Sequence, residues 1–173
     1  MLAYLQRNLF AGYRRSPVCK AKISFLLTGI FACIAAAVGF SGKLFQLHLI
    51  ESKLLYFLPL SLFFFPAFLE ESFFRGILIP NQIQEKGRKA ILAVTLFSAT
   101  AFTLWHPLNA LTVNPGAQSL FLNPYFLGIV FALGITSSLS YIYSQSLWVP
   151  ILIHWLTVVI WVIFLGGRNL VLT

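Results

Sequence analysis

The chain has 173 residues, 59% of them hydrophobic and 9% charged, with a formal net charge of +8 and a mean hydropathy of +0.87. Soluble domains carry about 25% charged residues, so this composition excludes an ordinary water-soluble fold and points to one integral membrane domain without a separate soluble one. The basic excess does not read as a nucleic-acid surface. Arg7, Arg14, Arg15, Lys20 and Lys22 precede the first apolar segment, and Lys86, Arg88 and Lys89 share one short connection. That is the pattern of helix ends on the cytoplasmic side, beside anionic lipid headgroups.

Residues 1–22 form a basic flank in which Leu2, Leu5, Leu9, Phe10 and Tyr13 mix with Gln6, Arg7, Asn8 and Arg14. Two readings fit: an interfacial helix ended by Ser16-Pro17, or a flank that only orients the first span. Residues 23–173 read as a single transmembrane domain. The first span is expected over Ile23 to Phe40, since about 20 apolar residues cross the hydrocarbon. Its apolar run is too long for a signal h-region of about 7–15 residues. Fourteen helical residues place Cys19 about 20 Å from Cys33, too far for a disulfide.

The second span, Leu54 to Ile79, contains Pro59 and Pro66, each expected to bend it. The third runs from Ala90 to Trp105, because Pro107 biases His106 away from helical geometry and puts it at or just past the helix end. The uncharged connection from Pro107 to Asn123 is expected to fold back over the outer mouth. The fourth span, Tyr125 to Tyr143, carries Gly128/Ala132 and Gly134/Ser138 at small-xxx-small spacing and reads as a packing post. Trp148 to Leu165 is the fifth. The predicted fold is an all-α bundle of about five transmembrane helices with the N-terminus cytoplasmic.

Only four acidic residues occur. Glu51 and Glu85 lie beside lysines in polar connections and read as solvated surface, as does His48. Glu70 and Glu71 lie inside the second apolar run, where a carboxylate is costly and marks a functional site by default. Glu71 and Arg75 are four apart in the favourable acid-to-base order for an ion pair, which lowers the cost of burying both. Glu70 then points elsewhere and is free to act as a general base. His106 and His154, from two other spans, complete a set suited to holding water and donating to an oxyanion. Counted at ~1.5 Å per residue from the inner ends, Glu70 lies roughly 15 Å deep, His154 about 10 Å and His106 about 24 Å. Their meeting therefore requires tilt, the Pro66 bend and a deeper start of the third helix. The tryptophans Trp105, Trp148 and Trp161 read as interface anchors.

Glu70-Glu71-Ser-Phe-Phe-Arg75, Phe102-Thr-Leu-Trp-His106 and then His154 resemble the EExxxR, FxxxH and Hxxx(N/D) motifs of the CAAX protease and bacteriocin-processing family of intramembrane glutamate proteases. The resemblance covers roughly residues 54–165. It implies that Glu70 activates water, that Glu71 and Arg75 support it, that His106 helps hold the water and that His154 faces the oxyanion. One position departs: Val158 stands four after His154, where the family has Asn or Asp. The implied substrate is a membrane-anchored peptide or lipidated protein, prenylated in some members, and the implied setting is a bacterial inner membrane or a thylakoid or other organelle membrane. No cofactor is called for. A divalent metal held by Glu70, His106 and His154 is the alternative, ranked lower because HExxH spacing is absent. A non-catalytic membrane protein of the same fold, serving immunity, assembly or partner binding, is the other alternative. The sequence leaves the oligomeric state unassigned.

Overall fold

The computed structural model describes residues 2–17 and 21–167. Cys19 and Arg168 fall outside them, so the spacing argument for the cysteines concerns a residue that is not described. Cys33 is an exposed free thiol. Among the described residues there is no strand, only a single bridge between His48 and Leu165. The fold is an all-helical membrane bundle.

The elements are α1 (Leu2–Arg14), α2 (Ala21–Ser41), a segmented helix α3 (58–77), α4 (Arg88–Thr112), a short α5 (Gln118–Phe121), α6 (Pro124–Ser144) and α7 (Trp148–Phe164). By length and apolarity α2, α4 and α6 are able to cross a membrane, and α7 is a shorter apolar helix of 17 residues. At 1.5 Å per residue α7 covers about 26 Å, close to the ~30 Å hydrocarbon thickness. The second expected span, Leu54 to Ile79, is α3, which is interrupted. It winds as α over Leu58–Leu62, as π over Phe63–Phe68, as α over Leu69–Glu71 and as π again over Ser72–Ile77.

Two boundaries differ from expectation for physical reasons. Pro59 sits in the first turn of α3, where its missing N–H has no intrahelical partner to lose, so it starts the helix rather than bending it. The break is at Phe65, whose φ of −137° and ψ of 110° lie outside the helical region, just before Pro66. Pro107 does not end α4, which runs seven residues past Trp105 to Thr112. A single proline in a packed membrane helix removes one donor, and neighbouring groups re-satisfy the freed carbonyls.

The α6 helix is the post around which the bundle packs. Of its apolar window 56% is buried, against 22% for both α2 and α4, which flank it. Asn123 caps it by accepting from the Tyr125 and Phe126 amides, with Pro124 in the first turn. Close approach depends on Gly134, where an added Cβ would meet the Ala99 backbone of α4 at 3.0 Å. Gly128 plays no such part, with nothing within 4 Å of its Cβ position. Phenylalanines such as Phe25, Phe64 and Phe97 cover the outer faces and are exposed, as befits side chains whose solvent is lipid.

The basic flank is a docked helix, not merely an orienting tail. The buried Asn8 side chain donates to the carbonyls of Gly76 (2.8 Å) and Ile79 (3.0 Å) and accepts from the Asn81 amide (3.0 Å). Tyr13 bonds Ser72, and Trp148 of α7 donates its indole N–H to the Tyr13 carbonyl at 3.0 Å. A Cβ at Gly76 would lie 2.5 Å from a Leu9 δ-methyl, so that side chain would have to shift. Several of these contacts land on the π-wound end of α3, where the helix leaves carbonyls for other partners. Ser98 of α4 takes another, the Phe74 carbonyl, at 2.8 Å.

Candidate active site

The two glutamates diverge around α3, as the spacing predicts, but Glu71 does more than pair with Arg75. Its Oε2 lies 3.0 Å from Arg75 Nε and its Oε1 2.9 Å from His154 Nδ1, with both Glu71 and Arg75 fully buried. Arg75 also donates to the Gly134 carbonyl at 3.1 Å and stands over the Phe102 ring at 4.5 Å. One carboxylate therefore ties α3 to α7, and one guanidinium ties α3 to α6 and α4. Partners from α3, α4 and α6 lower the cost of burying the guanidinium, although its Nη1 has none.

Glu70 is held differently. Trp105 of α4 donates its indole N–H to Glu70 Oε1 at 3.1 Å, while Oε2 is buried without a protein partner. Trp105 thus contacts the candidate base instead of anchoring at the lipid surface. His106 Nδ1 lies 3.0 Å from the Phe102 carbonyl. A carbonyl can only accept, so this bond puts the proton on Nδ1 and leaves Nε2 as an acceptor. Both histidines thus have Nδ1 committed, His106 to backbone and His154 to Glu71. The Phe102 ring touches both, with centroids 5.3 Å from His106 and 5.6 Å from His154.

Glu70, His106 and His154 all line one cavity of about 430 Å³, with walls largely of apolar side chains. The depth spread counted from the sequence does not keep the three apart, since all of them reach the same cavity. The cavity reaches Phe40 in the last turn of α2 and Phe45 beyond it, Asn114 and Ala117 beyond α4, and Leu165 at the end of α7. The neutral connection does fold over it, through the turn Pro115–Ala117 and α5, whose Leu120 and Phe121 form part of the wall. Val158 is also in the wall and brings only methyl groups. Glu51, Glu85 and His48 are exposed, as expected.

Sequence reasoning missed Trp105 and Asn109. Both fall on the α4 stripe Phe102, Trp105, His106, Asn109, at i, i+3, i+4 and i+7. The stripe is legible once α4 is carried through Pro107. Among the described residues no three His, Cys, Asp or Glu side chains converge as a metal-binding group. Glu70 and His154 spend their nearest contacts on Trp105 and Glu71 instead.

The fold is thus a helical membrane bundle holding a buried Glu-Arg-His network beside a second glutamate. The model of the family described as Type II CAAX prenyl endopeptidase Rce1-like matches residues 51–160, and the chain belongs to that family. It is an integral membrane protein of a protease family. No curated protein and no solved structure matches the chain.

Proposed function

We propose that this protein is an intramembrane endopeptidase that hydrolyses a peptide bond of a membrane-anchored substrate with a water activated by Glu70. The observation that carries the reading is the convergence of Glu70, His106 and His154, from three helices, on one largely apolar cavity. Glu70 takes a proton from water, and the hydroxide adds to the scissile carbonyl carbon. His106 Nε2 holds the water by accepting its other hydrogen. His154, protonated at Nε2, donates to the developing oxyanion, while Glu71 against Nδ1 balances the ring's charge in that state. Collapse of the tetrahedral adduct breaks the C–N bond, and Glu70 returns its proton to the leaving amine.

The apolar wall suits a substrate that presents a lipid chain or apolar side chains beside the scissile bond, with prenylated peptides as the finer proposal. The full chain in proteoliposomes, incubated with a panel of lipid-anchored peptides with and without a prenyl group, tests this by mass spectrometry of the fragments. Cleavage is expected from the native chain and none from Glu70→Gln, with insertion unchanged. Cleavage that survives Glu70→Gln would sink the proposal. Activity lost to a chelator and restored by a divalent ion would instead favour the metal-dependent mechanism.

A further inference from the structure

The cavity wall contains a carboxamide that the reaction above does not use. Asn109 lies on the α4 stripe one turn beyond His106, and it exists there as a cavity residue only because the helix continues through Pro107. Its Oδ1 is buried without a partner, and among the described residues no hydrogen bond engages its side-chain nitrogen. A buried polar group left unpaired is costly, so each such group calls for an explanation. Its neighbours in the cavity do not supply one. Thr157 donates its hydroxyl to the Ile153 carbonyl and Ser61 to that of Leu58, so both are committed to their own helices.

Apart from the candidate base Glu70, the other described wall residue with a partnerless polar atom is Trp161, through its indole N–H. It stands one ring further out. Phe126 separates it from His106, with centroids 5.5 Å from His106 and 5.8 Å from Trp161. Asn109, one turn from His106 on the same helix, is the carboxamide in the wall beside that histidine. A carboxamide offers two N–H donors and one acceptor, and rotation about its terminal bond presents either end. A tetrahedral adduct needs donors aimed at its oxygen, and Val158 across the same wall has none.

We infer that Asn109 is a catalytic residue that donates its side-chain N–H to the oxyanion alongside His154. This rests on the endopeptidase reading. The test is steady-state cleavage of a lipid-anchored peptide from the panel above by the full chain in proteoliposomes. Asn109→Ala is expected to lower kcat by about 10²–10³ with KM within about threefold, the usual cost of one oxyanion donor. Asn109→Asp keeps the shape and the acceptors but removes the N–H donors, and the same loss is expected. It also decides the matter if the alanine variant fails to fold. Activity retained by Asn109→Asp, or a loss carried wholly by KM, would overturn the inference and make Asn109 an acceptor that positions substrate. A native chain that cleaves with full dependence on Glu70 but not on Asn109 defeats only this inference. Cleavage independent of Glu70 defeats the endopeptidase reading and this inference with it.

Discussion

The two oxygens of Glu70 have different surroundings, and the difference is testable. Oε1 takes the Trp105 indole N–H, and Oε2 has no protein partner. Trp105→Phe keeps most of the ring and removes that donor. A hydrogen bond to a charged group contributes about 1.5–3 kcal/mol, so kcat for peptide cleavage should fall about 10- to 100-fold while the protein still folds. A rate within twofold of native would mean that the bond does not position Glu70. At Glu71 the expected damage is to the fold itself. Glu71→Ala leaves Arg75 and His154 buried without their carboxylate, a loss of about 3–5 kcal/mol. Thermal unfolding in detergent, followed by circular dichroism, should show the loss directly. The Glu71–Arg75 pair was readable from i,i+4 spacing, because both ends are on one helix. The Glu71–His154 and Glu70–Trp105 contacts were not, because nothing in local spacing says which faces of α3, α4 and α7 meet.

Among the helices, α6 illustrates how two similar sequence signals part company. Gly128 and Gly134 carry the same small-residue spacing, yet only Gly134 lies against another backbone. Gly134→Leu should destabilise by about 1–3 kcal/mol through overpacking against Ala99. It should also displace the carbonyl that holds Arg75. Gly128→Ala should stay within about 0.5 kcal/mol of native, and equal unfolding midpoints for the two variants would contradict this packing. The positions of α2, α6 and α7 were legible because long apolar runs bounded by Gly, Asn and Pro leave little choice. The ends of α3 and α4 were not. A proline rule derived for isolated helices predicts breaks at Pro59 and Pro107, whereas first-turn placement and packed neighbours remove the penalty at each.

At the scale of the whole molecule, the two basic clusters and the cavity lie at opposite ends. The basic residues of α1 and of the 82–89 connection sit at the end where α3 and α6 finish, while the cavity opens among the finishing residues of α2, α4 and α7. With the positive-inside bias, the N-terminus is expected in the cytoplasm and the cavity in the half of the bilayer away from it. A phosphatase reporter fused after Asn114 should be active and one fused after Lys86 inactive, and the reverse pattern would invert the orientation. The docked α1 carries a consequence for how the protein is made. Asn81 and Trp148 follow their α1 partners by 73 and 135 residues, and Ser146 follows Arg15, just past α1, by 131. During synthesis the Asn81 bond can form once α3 has been made, but the Trp148 bond must wait for α7, so the seating of α1 is completed only with the last helix. That same helix delivers His154, so the clasp on α1 and the third side chain of the cavity arrive together, in one late step of assembly.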